Sequence, residues 1–172
     1  MKEKALRHIV ITGPESTGKT TLAQRLASHF QTAWVPEYAR TYLDGLSRPY
    51  GYEDLEQIAR GQLEWVAQYE KKARKFLFLD TGMLVLKVWS EYKYGHCAPF
   101  ILESLHRDPP HLYVLCGTDV PWEYDPLREN PGEREVLYEI YRGELEQLGS
   151  RFMEVEGSLE ERMALVVEKL NS

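Results

Sequence analysis

The sequence predicts an α/β fold: one five-stranded parallel sheet with helices on both faces, three layers in all. Three observations lead there. Short apolar runs alternate along the chain with longer segments of helical periodicity. The runs are apolar throughout, not every second residue, so each strand is buried on both faces. The first run ends at Gly13, where a glycine-containing loop leads directly into a helix.

The elements follow in order. Residues 8–12 (H-I-V-I-T) are predicted to form the first strand. Residues 19–29 are predicted as a helix, with Leu22, Leu26 and Phe30 four apart on one face. Residues 32–35 make a second short strand closed by Pro36, and residues 52–75 a long helix carrying Leu55, Ile58, Ala59, Leu63 and Val66. Residues 76–80 (F-L-F-L-D) form a third strand that ends on a carboxylate. Helices at 82–94 and 98–107 precede a fourth strand at 111–116. Residues 117–132 contain Gly117, Pro121, Pro126, Pro131 and Gly132 and form a loop of unusual length. A helix at 133–148, a strand at 152–155 and a closing helix at 159–170 complete the chain. All 172 residues are expected to form a single domain.

Composition narrows the function classes. The net charge is −6, which argues against a nucleic-acid partner. The dense basic cluster Lys71-Lys72-Ala73-Arg74-Lys75 follows Glu53, Asp54, Glu56 and Glu64 in one predicted helix. Acid at the start and base at the end suit a solvated helix and its dipole. Cys97 and Cys116 fit no metal-ligand spacing and are read as reduced thiols in a cytoplasmic protein. No signal-peptide h-region and no apolar stretch of membrane-spanning length occurs, so no membrane partner is expected. The five histidines form no triad and no Gly-x-Ser-x-Gly turn occurs, which leaves hydrolases unsupported.

The loop G-P-E-S-T-G-K-T, residues 13–20, carries the strongest signal. Gly13 and Gly18 tolerate backbone angles that turn successive N–H groups inward onto phosphate oxygens. Lys19 is placed to reach the β- and γ-phosphates of ATP, and the Thr20 hydroxyl to bind Mg²⁺. Pro14 aside, Glu15, Ser16, Thr17 and Thr21 belong to the same phosphate-holding group.

Two carboxylates fall just beyond strand ends, on the edge where such sheets bind ligands. Asp80 is a candidate Mg²⁺ ligand, with a helix N-cap as the alternative. Glu37, in V-P-E-Y-A-R, is placed to orient an acceptor hydroxyl and take its proton. Arg40 is a candidate contact to phosphate or substrate; a surface Glu37–Arg40 pair is the alternative. The long loop carries Trp122, Tyr124, Leu127 and Arg128, with Arg134 close behind. It is expected to be a lid, at about 117–134, that brings Arg128 or Arg134 to the transferring phosphoryl group. The alternative pairs these arginines with Glu129, Glu133 and Glu135. Trp34, Tyr38, Tyr42, Trp65 and Tyr69 could stack on a flat ring or pack the core.

Together these residues resemble one family, the ribosylnicotinamide kinase domain of the NAD-biosynthesis regulators (NadR-like), within the P-loop NTPases. The resemblance runs through G-P-E-S-T-G-K-T, P-E-Y-A-R, I-A-R-G-Q, F-L-D-T, G-H-C-A-P-F and P-W-E-Y-D-P-L-R, in that order. It implies the fold of nucleoside and nucleotide kinases. It implies transfer of the ATP γ-phosphate to the ribose 5′-hydroxyl of nicotinamide riboside, with ATP and Mg²⁺ as cofactors. It puts phosphate on Gly13 to Thr20, substrate beside Glu37, Tyr38 and Arg40, Asp80 at the Mg²⁺ and ribose edge, and Arg128 and Arg134 in the lid.

The sequence departs from the family at two positions. A tryptophan directly before the Glu-Tyr pair, which stacks on nicotinamide, is here Pro36. A tyrosine of the following long helix is here Gln68, and Trp34, Trp65 or Tyr69 could substitute. The first strand starts near residue 7, so neither an adenylyltransferase nor a DNA-binding segment is expected in the chain. A kinase of another small nucleoside and an ATP-dependent regulatory module remain as alternatives. The oligomeric state stays open.

Overall fold

The computed structural model describes residues 5–172. Five strands and seven helices follow one another as β1(Arg7–Thr12), α1(Lys19–His29), β2(Trp34–Val35), α2(Tyr38–Asp44), α3(Tyr52–Glu70), β3(Phe76–Asp80), α4(Met83–Tyr94), α5(Pro99–Arg107), β4(Leu112–Cys116), α6(Arg134–Leu148), β5(Phe152–Val155) and α7(Leu159–Asn171). The strands pair in the order β2-β3-β1-β4-β5, and every pairing is parallel. The five-stranded parallel sheet read from the sequence is therefore the sheet of the protein.

The strands alternate their side chains between two separate cores. On one face Val10, Leu77, Leu79 and Tyr113 pack against α3, α4, α5 and α6 through Ile58, Leu84, Ile101 and Leu145. On the other face Ile9, Ile11, Phe76 and Phe78 pack against α1 and α7 through Leu22, Leu26, Val166 and Leu170. Every residue of β3 and β4 is buried, as continuously apolar runs require.

Local chemistry sets the ends of the helices. Pro99 opens α5, where its missing N–H costs nothing. Ser158 caps α7 by accepting the Glu161 N–H, while Glu161 accepts the Ser158 N–H in return. Before α3, the buried Asp54 carboxylate accepts from Gly51 N–H, Arg48 and the Tyr42 hydroxyl. These contacts hold Asp54 far below the usual carboxylate range and fasten the 45–51 loop to the helix.

Two boundaries differ from the sequence reading. Residues 38–44 form a helix, α2, which the pattern did not reveal. The long helix stops at Glu70 rather than 75. Lys75 adopts φ 61° as the chain reverses into β3, so Lys71, Lys72, Arg74 and Lys75 lie exposed beyond the helix end. Both cysteines are unpaired, and Cys116 is fully buried in the core against α1. Among the described residues no helix is long and apolar enough to cross a membrane.

Candidate active site

The loop between β1 and α1 sits against the end of β4. At Gly13, with φ 134°, a Cβ would come 3.0 Å from the Cys116 carbonyl oxygen, so the close approach requires glycine. Gly18 adopts φ 80° immediately before α1, and Ser16 φ 56°. Inside the loop, Thr17 Oγ1 donates to the Pro14 carbonyl at 2.8 Å, and Lys19 Nζ donates to the same oxygen at 2.6 Å. Helix α1 begins without a side-chain cap and without an acidic residue in its first turn. Its free N–H groups and positive dipole end therefore face the cleft, the arrangement that binds phosphate.

The two carboxylates meet at this loop. Thr20 Oγ1 donates to Asp80 Oδ2 at 2.6 Å, tying the start of α1 to the end of β3. Asp80 Oδ1 is buried with no protein partner. Burial pushes the Asp80 carboxyl up, against the opposing pull of Thr20, Lys19 and Arg40. The N-cap alternative does not hold, because Gly82 occupies the cap of α4. Glu37 follows β2 and opens α2, lining the floor of the cleft. Burial first, and then the charge of Asp80, push its carboxyl up to about 7.

An orphaned oxygen on Asp80 beside the Thr20 hydroxyl fits a magnesium ion. Among the described residues no cluster of three or more His, Cys, Asp or Glu could cage a metal. A magnesium shared with substrate phosphates needs only one or two carboxylates, which is the donor set here.

The segment 117–133 between β4 and α6 lies over the glycine loop. Glu15 accepts the backbone N–H groups of Glu129 and Asn130, and Ser16 Oγ accepts that of Glu123. The lid arginines divide. Arg128 lines the cleft and donates to the Glu123 carbonyl at 2.5 Å. Arg134 belongs to α6, does not line the cleft, and donates to the carbonyls of Ser16 and Val120 at 2.9 and 2.7 Å. It holds the glycine loop from behind. Neither arginine is bound as the alternative reading had it, since Glu129 instead pairs with Lys93 at 3.1 Å. Arg40 also lines the cleft and pairs with Asp125 at 3.0 Å rather than with Glu37.

Sequence reasoning missed Arg162. It is 3% exposed, yet charged. It donates to the carbonyls of Thr17 at 2.8 Å and Gly157 at 3.0 Å, and to the Asp119 carboxylate. One side chain thus joins α7, the glycine loop and the segment after β4. The signal lay in the helix period: Arg162, Val166 and Leu170 are four apart on one buried face.

The cleft has a volume of about 600 Å³ and runs from the glycine loop to α4. Its far wall is Val85, Val88, Trp89 and Tyr92 of α4, with Leu43 and Tyr141 opposite. The aromatics that could have stacked on a ring take the core alternative instead. Tyr42, Trp65 and Tyr69 pack against the core on the α3 side, and Trp34 against the core on the α1 side. Tyr38 lies across α3, its ring edge-on to Trp65 at 5.0 Å and pressed where any side chain on Gly61 would stand. Its placement beside the substrate is therefore corrected: Tyr38 braces α2 on α3 and does not line the cleft. Pro36 and Gln68 do not line it either.

The parallel sheet and its glycine loop define a P-loop nucleotide-binding protein of the kinase-like type. Residues 8–162 match the AAA domain family AAA_28, and the chain belongs to that family. The chain's relatives include NadR proteins. It is 29% identical over 157 residues to the trifunctional NAD biosynthesis/regulator protein NadR of Escherichia coli (strain K12), covering 88% of this chain and 38% of that protein. The chain thus spans well under half the length of this relative. A crystal structure of NadR protein in complex with NR superposes with a TM-score of 0.74 at 20% identity, over 96% of this chain and 50% of that one. Thymidylate kinase from Ehrlichia chaffeensis shares the fold with a TM-score of 0.69 at 12% identity, over 97% of this chain and all of that one.

Proposed function

We propose that this chain is an ATP-dependent kinase that phosphorylates the ribose 5′-hydroxyl of nicotinamide riboside, giving nicotinamide mononucleotide. One observation carries the reading. Glu37, with its carboxyl pushed up to about 7, lines the same cleft as the glycine loop and the apolar side chains of α4. A phosphate site, a base and room for a small nucleoside are thereby contiguous. The likeness to NadR, one structure of which is in complex with NR, supports nicotinamide riboside as the nucleoside.

The chain's residues divide the work. The glycine loop and the first turn of α1 hold the phosphates of ATP, and Lys19 neutralises charge on the group in transfer. Glu37 orients the acceptor hydroxyl and accepts its proton as the oxygen bonds to the γ-phosphorus and the bond to ADP breaks. Thr20 and Asp80 would hold Mg²⁺, which when bound supplies charge neutralisation on the phosphate oxygens. Arg128 and Arg40 add positive charge from the cleft wall. Arg134 and Arg162 position the loop without touching substrate.

Steady-state ADP formation, measured with and without each member of a nucleoside panel, tests this reading. Release that depends on nicotinamide riboside supports it. Release that no nucleoside alters contradicts it and favours a regulatory ATPase. Pro36 and Gln68, both outside the cleft wall, favour a second reading: a kinase of another small nucleoside, which would be used faster in the same panel.

A further inference from the structure

We infer that Trp89 is the ring platform of the acceptor pocket and that Tyr50 positions it. The inference rests on the kinase reading above and deepens it.

Trp89 stands in the right place for a nucleoside ring. It lies on the α4 stripe that forms the far wall, and it also borders a smaller cavity shared with Glu37 and Val85. A ring against Trp89 therefore leaves the attached sugar directed toward Glu37. Trp34 of β2 and Trp65 and Tyr69 of α3 pack on the two cores and do not line the cleft, whereas Trp89 packs on one of those cores and still lines the cleft. A nucleoside entering beyond Glu37 meets aromatic surface on α4 instead.

The indole is held in one orientation. Trp89 Nε1 donates to the Tyr50 hydroxyl at 3.1 Å, and the two rings meet edge to face at 5.1 Å. The same hydroxyl accepts from Lys93 Nζ at 2.6 Å and donates to Glu129 at 2.5 Å. It accepts twice and donates once, which saturates it. Tyr50 is itself carried on the loop that Asp54 fastens to α3. Glu129 is tied through its N–H to Glu15 of the glycine loop. The platform is thus connected through Tyr50 to the segment that covers the phosphate site.

The chemistry of an indole face selects among rings. Its negative π-surface attracts a cationic ring more than a neutral one of the same shape. The ligand class is a nucleoside with a flat, positively charged ring, as in the pyridinium of nicotinamide riboside.

Nicotinamide riboside and a panel of neutral nucleosides are tested against wild type, Trp89→Leu, Trp89→Phe and Tyr50→Phe. Trp89→Leu is expected to raise KM for nicotinamide riboside about tenfold, with KM for ATP changed less than about twofold. Trp89→Phe should recover most of that loss, and Tyr50→Phe should raise the same KM about threefold. Preference over neutral nucleosides should fall with KM. Tryptophan fluorescence, quenched in wild type by nicotinamide riboside without ATP, should lose that response in Trp89→Phe, a readout that stands even where the leucine variant fails to fold. An active wild type with unchanged KM in Trp89→Leu, or undiminished quenching in Trp89→Phe, overturns the assignment of Trp89 alone. A wild type that neither phosphorylates nor binds any nucleoside overturns this inference together with the kinase reading.

Discussion

Thr20 donates its hydroxyl proton to Asp80 Oδ2 at 2.6 Å, joining two residues 60 positions apart at the mouth of one cleft. The bond leaves the second Asp80 oxygen buried and unpartnered. Burying a carboxylate oxygen without a donor costs more than burying a hydroxyl or amide in the same way, and this one lies beside the Thr20 hydroxyl at the phosphate loop. A free acceptor in that position is expected of a site built for a cation and phosphate.

Asp80→Asn keeps the shape and one acceptor but removes the charge. The Mg²⁺ concentration that supports half-maximal turnover should rise about 10- to 100-fold. A magnesium titration of initial rates checks this. An unchanged titration curve would remove Asp80 from the metal site.

Glu37 should set the acidic limb of the rate profile. Its folded carboxyl is pushed up to about 7 from an ordinary 4.5, so kcat/KM should rise as pH increases through that range. Glu37→Gln should flatten the limb and lower turnover more than ATP binding. The stability consequence has a definite sign. The folded state holds the proton more tightly, so wild type loses stability as pH rises from 4.5 to about 7. Glu37→Gln should therefore be the more stable protein at pH 8, by at most about 3 kcal/mol. Thermal melts of both proteins at pH 5 and pH 8 measure the difference.

Lys19→Ala should reduce turnover by at least about 100-fold, since it deletes the charge nearest the transferring phosphoryl. It also removes the 2.6 Å bond to the Pro14 carbonyl, a partly exposed contact whose loss should shift Tm only slightly. Initial rates together with a melting curve separate the two effects. A large Tm loss with modest loss of turnover would make Lys19 a structural residue.

Arg162→Ala should destabilise the fold by about 3 kcal/mol, because it takes a charged donor from the buried Thr17 and Gly117 carbonyls and leaves Asp119 with the Gly157 N–H alone. For a chain of this size that lowers Tm by roughly 6–12 °C. Because Arg162 Nη1 holds the Thr17 carbonyl at 2.8 Å, KM for ATP should rise while KM for the acceptor stays nearly constant. Equal rises in both would point to general loosening instead of a role at the glycine loop.

The parts legible in sequence were those with local physical causes. The strands read clearly because burial on both faces demands unbroken apolar runs, as in Phe76–Asp80 and Leu112–Cys116. The glycine loop read clearly because Gly13 and Gly18 meet backbone demands that few residues can. Helix α2 went unseen because seven residues with one buried alanine show no period. The aromatics stayed undecided between substrate and core for a different reason. Composition counts rings but does not say which way they face, and Tyr38, Trp65 and Tyr69 turned to the core. Val85, Val88, Trp89 and Tyr92 did carry a signal, a single helical stripe just after Asp80, but that stripe equally suits a core face. The helix period put Arg162 on the buried face of α7, but the carbonyls that Arg134 and Arg162 hold are brought close only by the fold.

The most direct measurement is product identification. The protein is incubated with Mg-ATP and nicotinamide riboside, and the products are separated and characterised by mass spectrometry and phosphorus NMR. One nicotinamide mononucleotide, phosphorylated on the 5′ oxygen, is predicted for each ADP formed. ADP accumulating with no phosphorylated nucleoside would contradict the account.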